Sequence, residues 1–215
     1  MASESRPAAL PPRERTVGQL VAESIRLYGD NFTRVLVIGV PPAGLAYLTV
    51  HVSRTVSFVL AFTVYGALLS ASYVWACALV LEHRVSTRAL VRAWLVGWLV
   101  FVPVPVLAVG FVLPALAWLA AVGLVVPVLV VEAPPLRAAF SRAWRLARAD
   151  YVHVLGSIAT LAIVVFLTQS VLAFLLRGAG GAAVDTAFVL ANVVISPLLF
   201  VGTALLYVDQ TARVE

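Results

Sequence analysis

The sequence predicts an all-α integral membrane protein, and three observations lead to this fold class. Of its 215 residues, 62% are hydrophobic and only 12% are charged, and the mean hydropathy is +1.03. Soluble domains contain about 45–50% apolar and about 25% charged residues, so a soluble fold of this size could not cover so much apolar surface. The apolar residues also form stretches of about 20 residues, the length that a helix needs to cross a bilayer. These features exclude most classes of soluble enzyme.

Six apolar stretches are the predicted spans. They cover about residues 34–52, 55–81, 94–112, 114–131, 152–176 and 184–208. The third and fourth divide Trp94–Val131, which has 38 residues without a charge. As one helix this stretch would extend about 57 Å, nearly twice the ~30 Å hydrocarbon core. We therefore predict a turn near Gly110–Pro114, which leaves two full spans or a re-entrant hairpin as the alternatives. Pro41-Pro42 and Pro197 should kink the first and sixth spans.

The arginines predict the orientation of the chain. All 15 basic residues are Arg, and with six spans 13 of them lie on one side, which leaves Arg54 and Arg177 opposite. The positive-inside rule then favours six spans with both termini cytoplasmic. The Lys-free composition is typical of a GC-rich bacterial genome, so the expected location is the bacterial plasma (inner) membrane. We expect residues 1–15 to be a disordered cytoplasmic tail, residues 16–209 the six-span domain, and residues 210–215 a short cytoplasmic tail.

Three cytoplasmic segments, about residues 16–30, 84–93 and 134–150, are predicted as interfacial amphipathic helices. Each carries Arg on one face and apolar residues on the other, the pattern of a helix that lies in the membrane interface. Thr16 and Gln19 can form a capping box. Ile25-Arg26-Leu27 aligns with Trp144-Arg145-Leu146 at an offset of 119, and Ala89–Trp94 aligns with Ala139–Trp144 at an offset of 50. The alignments predict a threefold internal repeat of interfacial helix, span and return span.

Four short motifs carry a resemblance to a known family. They are Thr16-Val17-Gly18 through Glu23-Ser24-Ile25-Arg26-Leu27-Tyr28 to Asn31-Phe32; Val112-Leu113-Pro114, followed by Ala115 where Gly is usual; Pro127-Val128-Leu129-Val130-Val131-Glu132 with Ser141-Arg142-Ala143-Trp144-Arg145-Leu146; and Leu205-Leu206-Tyr207-Val208-Asp209. At these residues the chain resembles the glycerophosphoryl diester phosphodiesterase membrane-domain family and related uncharacterised bacterial multi-pass proteins. The resemblance implies the helical membrane module only, without the soluble catalytic domain of some relatives, so the family name does not imply a phosphodiesterase activity.

Candidate site residues fall into three groups. Candidates for binding lipid or a partner are Arg26, Arg92, Arg142, Arg145, Arg148, Trp94 and Trp144. Polar candidates inside the spans are Asn192, Gln169 and Ser196, which could line a pathway or bind neighbouring helices by hydrogen bonds. Interface carboxylates are Glu82, Glu132, Asp150 and Asp209. For Glu132 the alternatives are a carboxylate held near the Arg face or a cation, and a residue that caps the next helix.

The sequence contains no nucleophile, acid–base or phosphate-binding motif. His51, His83 and His153 do not have metal-ligand spacing, so we expect no metal, no cofactor, no nucleic acid and no enzymatic activity. The leading hypothesis is a non-enzymatic module that binds anionic lipid headgroups, a membrane protein partner or a second copy at the cytoplasmic face. The alternative is a small-solute transporter or channel, which Pro-interrupted helices and a repeat would suit.

Overall fold

The computed structural model describes residues 11–50, 52–81, 85–176 and 181–215. Within these ranges the regular structure is helical, with no strand. Five segments are long and apolar enough to cross a membrane: Thr55–Val80, Thr87–Ala108, Val112–Val131, Tyr151–Leu175 and Val189–Val214. The all-α membrane class is therefore confirmed, and these segments correspond to the second to sixth predicted spans.

Twelve α-helices are present in the described ranges. They are α1 (Val17–Asp30), α2 (Phe32–Val50), α3 (Arg54–Leu60), α4 (Gly66–Val80), α5 (Thr87–Phe101), α6 (Val104–Gly110), α7 (Val112–Val122), α8 (Val125–Val131), α9 (Leu136–Ala149), α10 (Tyr151–Leu175), α11 (Gly181–Ile195) and α12 (Pro197–Val214). A π-helical turn at Ala61–Tyr65 joins α3 to α4. Several spans therefore consist of two helices with a short interruption, such as Ser196 ahead of Pro197.

The first predicted span corresponds to α2, which remains helical through Pro41 and Pro42. Its segment Phe32–Gly44 is apolar but shorter than a membrane crossing.

The N-terminal tail differs from the expectation where the structure describes it. A 3₁₀ turn at Pro12–Glu14 precedes α1, and Arg15 binds Asp209 through an ion pair. Residues 11–15 are therefore ordered against α12, and the expectation of a disordered tail is wrong for them. The physical reason is a long-range charge pair that spans 194 residues and leaves no trace in local composition. Residues 1–10 of the predicted tail lie outside the described ranges.

Two pairs of helices have matching boundaries. α1 and α2 are separated by Asn31 alone, and α9 and α10 by Asp150 alone. α1 and α9 each have 14 residues, and their first and last residues differ by the same offset of 119. The predicted capping box at the start of α1 is present, with the Thr16 amide donating to Gln19 Oε1 at 2.8 Å and the Gln19 amide donating to Thr16 Oγ1 at 3.4 Å.

The segment about 84–93 does not form a separate interfacial helix, so that prediction is wrong for its described part. α5 begins after Ser86, whose hydroxyl accepts from the Ala89 amide, and continues without a break to Phe101. At the offset of 50, Asp150 corresponds to Val100, an apolar residue inside α5 that offers no polar cap, whereas Asn31 and Asp150 interrupt the other two pairs. The predicted turn between the third and fourth spans is present at Phe111, an extended residue between α6 and α7.

The core lies around α8 and α12. From Leu124 to Val130 every residue is buried, as α8 packs against α4, α5 and α9. α12 packs against α1, α4 and α10. Tyr73, Phe101 and Phe200 form an aromatic cluster between these layers, with ring centroids 6.1–6.5 Å apart. The core therefore holds the charged end of α12 close to α1 and α9.

Gly39 is expected to tolerate no side chain, because a Cβ there would collide with the Val193 carbonyl oxygen of α11. That oxygen belongs to the backbone, so it cannot turn away as a side chain would. We expect Gly39→Ala to lower the free energy of unfolding by about 1–3 kcal/mol, measured as thermal unfolding in detergent. Gly44 in the same helix has open space around its Cα, and Gly44→Ala should be neutral or stabilising. Equal effects of the two substitutions would contradict this account of the α2–α11 contact.

Candidate functional site

Helix α9 presents three different faces. Its inner face, Ala139, Ala143, Leu146 and Ala147, is buried against the bundle. A second face bears Leu136, Phe140 and Trp144, which are 48%, 44% and 48% exposed and which we call the α9 stripe. Their spacing of four residues places them along one line of the helix. The third face bears the exposed residues Arg137, Arg145 and Arg148.

The outer arginines of α9 border the stripe. The guanidinium carbon of Arg148 lies 5.9 Å from the centre of the Trp144 ring, a cation–π distance. Within the described residues, no carboxylate forms an ion pair with Arg137, Arg145 or Arg148. An apolar line edged by cations without acidic partners is the surface that an interfacial helix presents to lipid acyl chains and anionic headgroups.

Arg142 occupies a different position from the other α9 arginines. Its side chain is 18% exposed and contacts Glu132 Oε1 and Glu215 Oε1, each at 3.3 Å. The sequence grouped Arg142 with Arg145 and Arg148 as a candidate for lipid or partner binding. The structure instead turns it toward the end of α12, because at this point of the helix the outer face gives way to the buried one.

The turn between α8 and α9 is held by side chains of α9 itself, α5 and α12. Glu132 accepts hydrogen bonds from Arg142 and from the Tyr207 hydroxyl, the latter at 2.9 Å. Arg92 donates to the Pro134 carbonyl oxygen at 3.0 Å. Ala133 has φ of 46°, in the left-handed region that favours Gly. Glu132 is thus paired with Arg142, and no side chain caps α9 by a hydrogen bond.

Two further carboxylates join distant parts of the chain near the C-terminal end of α12. Asp209 is fully buried and accepts from Arg15 Nη1 at 3.0 Å. Asp150 caps α10 through the His153 amide and accepts from Arg213 Nη1 at 2.6 Å. Arg213 also donates to the Arg15 carbonyl oxygen. We call these four side chains, with Glu132 and Arg142, the charged cluster. The sequence singled out both aspartates but missed Arg15 and Arg213, since nothing in local spacing indicates their partners.

The other interface candidates have local roles. Arg26 forms pairs along α1 with Glu23 at 3.7 Å and Asp30 at 3.9 Å, and its side chain is 60% exposed. Trp94 reaches across to α4, where its indole N–H donates to the Ala67 carbonyl oxygen at 2.8 Å. Glu82 lies outside the described residues.

Tyr28 links α1 to α11. Its hydroxyl donates to the Val194 carbonyl oxygen, and burial raises the pKa of the Tyr28 phenol above its usual value. The phenol therefore stays protonated, as a donor requires.

Two of the three polar candidates within the spans contact each other across two helices. Gln169 Nε2 of α10 donates to Asn192 Oδ1 of α11 at 3.1 Å. The Ser196 hydroxyl donates to the Asn192 carbonyl oxygen, four residues earlier in the same chain segment. The structure thus brings Gln169 and Asn192 together and gives Ser196 a backbone partner, an arrangement suited to holding two helices together. Within the part of the chain that is described, no three His, Cys, Asp or Glu side chains are arranged to hold a metal ion.

The fold and this site define a class of protein: a helical membrane protein whose charged cluster lies next to a basic amphipathic helix. Comparison with known proteins found no matching family model, no similar curated protein and no similar solved structure.

Proposed function

We propose that this protein is a non-enzymatic membrane module that binds anionic phospholipid headgroups at its cytoplasmic face through α9. The observation that carries the proposal is the exposed α9 stripe beside Arg137, Arg145 and Arg148. A soluble surface would gain nothing from exposing Trp144 and Phe140 together, whereas the acyl–headgroup boundary accommodates both the aromatic rings and the guanidinium groups. Each Arg near an anionic surface contributes about 1 kcal/mol of attraction.

The proposal includes the orientation. α2 crosses the membrane as the first of six spans, in addition to the five segments named above. Both termini lie in the cytoplasm, and the membrane is the bacterial plasma membrane. The concentration of arginines in the predicted cytoplasmic segments supports this topology. The α1–α2 and α9–α10 pairs, with boundaries at one offset, support a duplicated unit, of which α5 would be a third copy without the break. Membership of the glycerophosphoryl diester phosphodiesterase membrane-domain family is proposed on the four motifs alone.

A fluorescence titration tests the lipid-binding proposal. Purified protein in maltoside micelles is titrated with dansyl-labelled phosphatidylglycerol or phosphatidylcholine, and energy transfer from Trp is followed. We expect phosphatidylglycerol to bind more tightly and Arg145→Gln to weaken it about fivefold. Arg142→Gln is the matched control, since it removes the same charge from the same helix but from an inward-facing side chain, and its effect should stay within about twofold. The proposal would be contradicted if Arg145→Gln and Arg142→Gln weakened binding equally, or if the protein showed no preference for the anionic lipid.

The transporter alternative rests on the Gln169–Asn192 pair between α10 and α11. Under that hypothesis, proteoliposomes should show solute flux that Asn192→Leu abolishes. Under the lipid-binding proposal, Asn192→Leu lowers thermal stability and leaves the lipid titration unchanged.

A further inference from the structure

A groove of about 460 Å³ lies between α4 and α5, and its lining includes no residue of the charged cluster or of the α9 stripe. Its lining is almost entirely apolar and includes Ala71, Trp75 and Ala78 from α4 and Leu90, Val91 and Trp94 from α5. Trp75 is 51% exposed and Val91 is 49% exposed, so the groove opens to the outside of the bundle. Its volume is within the range of about 300–1,000 Å³ that is typical of small-molecule sites.

The walls of the groove are fixed before any ligand arrives. The Trp94 indole N–H donates to the Ala67 carbonyl oxygen, and the Ser70 hydroxyl donates to the Trp94 carbonyl oxygen at 2.7 Å. Gly97 allows Ser70 to approach α5 closely. These contacts hold α4 and α5 together behind the groove and fix the backbone of both walls.

The depth of the groove matches the upper part of an acyl chain. α5 begins at Thr87, and with a rise of about 1.5 Å per residue Leu90 lies about 5 Å and Trp94 about 10 Å along the helix axis. If Thr87 is at the cytoplasmic interface, the lined part of the groove is at the boundary between headgroups and hydrocarbon. Trp is enriched at that depth.

Two arginines of α5 lie next to the lining residues along the chain, Arg88 one helical turn before Val91 and Arg92 directly after it. Arg88 is exposed in the first turn of α5, and within the described residues it forms no ion pair. Arg92 follows one turn later and donates to the Pro134 carbonyl oxygen through Nη2. An apolar groove with an exposed cation one turn away, which has no acidic partner among the described residues, is complementary to an anionic amphiphile more than to a neutral one.

We propose that this groove binds one acyl chain of an anionic phospholipid from the cytoplasmic leaflet, with the lipid phosphate at Arg88. The site rests on the proposed orientation, which places the start of α5 at the cytoplasmic face. It uses none of the residues of the α9 stripe, so it is a second and separate lipid contact. The stripe lies in the interface among many lipids, whereas the groove retains a single molecule.

Native mass spectrometry tests the groove. Detergent-purified protein is incubated with equal amounts of dioleoylphosphatidylglycerol and dioleoylphosphatidylcholine, and bound lipids are counted after detergent release. We expect one phosphatidylglycerol molecule to be retained in preference to phosphatidylcholine. Arg88→Gln should reduce this preference about fivefold. Ala71→Phe with Ala78→Phe fills the groove and should abolish retention of both lipids. Leu99→Phe, at a 65% exposed position of α5 outside the groove, is the matched control and should change nothing.

Three results would overturn the proposal. They are retention unaffected by the two Phe substitutions, a lipid preference unaffected by Arg88→Gln, and a wild-type dimer that the Phe substitutions dissociate, which would make the groove a contact between copies. Arg145→Gln separates this site from the proposed function. It should weaken the dansyl-lipid titration and leave the single retained lipid in place, so failure of either proposal is visible without failure of the other.

Discussion

Asp209→Ala is expected to destabilise the protein by about 3 kcal/mol, the largest effect of any single substitution in the charged cluster. The Asp209 side chain is fully buried and that of Arg15 is 13% exposed, with 3.0 Å between the paired atoms. Removal of the carboxylate leaves a poorly hydrated guanidinium, and the loss of one partner of a buried pair costs more than the pair itself contributes. For a chain of this size the melting temperature in detergent should fall by about 6–12 °C.

Matched variants distinguish loss of the Arg15–Asp209 ion pair from a general loss of stability caused by any substitution of a charged residue. Asp30→Ala removes a carboxylate that is 69% exposed in its pair with Arg26, and its effect should stay below about 0.5 kcal/mol. Arg15→Met combined with Asp209→Leu should recover most of the lost stability, since apolar residues of similar volume replace a buried pair at little cost. If Asp209→Ala melts at the same temperature as Asp30→Ala, Asp209 does not hold the N-terminal segment against α12.

The triple substitution Arg137→Gln, Arg145→Gln and Arg148→Gln is expected to weaken binding of phosphatidylglycerol about a hundredfold. The three guanidinium groups are exposed on one side of α9, and each contributes about 1 kcal/mol of attraction to an anionic surface. The same energy-transfer titration in micelles measures the change, and phosphatidylcholine binding should be unaffected.

Replacement of the same three residues by Lys is the control for this prediction. It keeps the charge and loses the planar donor geometry of the guanidinium. Binding within about fivefold of the wild type would identify charge as the main source of affinity. A Gln triple variant that binds phosphatidylglycerol as well as the wild type does would remove the basis for a lipid role of α9.

Local sequence patterns predicted helix boundaries where particular residues mark them. The Thr16–Gln19 capping box marks the start of α1, and the break at Phe111 lies in the predicted turn. Each of these signals acts over one helical turn, so it is readable without knowledge of the fold. The prediction of a separate interfacial helix over about 84–93 failed, because α5 continues without a break to Phe101.

The pairings within the charged cluster could not be predicted from the sequence. Asp209 and Arg15 are 194 residues apart, and Tyr207 reaches Glu132 across 75 residues. Helical periodicity placed Arg142 and Arg145 on one polar side of α9, but the packing of α12 against α9 determines which of them turns inward. Such pairings arise from tertiary packing, and a single sequence without its fold cannot specify them.

A nitroxide scan along α9 tests the central claim most directly. Single Cys residues from Leu136 to Arg148, in a Cys77→Ala background and reconstituted in phosphatidylglycerol-containing vesicles, carry the spin label. The power saturation is measured with oxygen and with a water-soluble nickel chelate. Oxygen accessibility should peak at positions 136, 140 and 144, and nickel accessibility at positions 137, 145 and 148. Nickel accessibility at the α9 stripe equal to that at the arginine positions would place the stripe in water and contradict an interfacial helix.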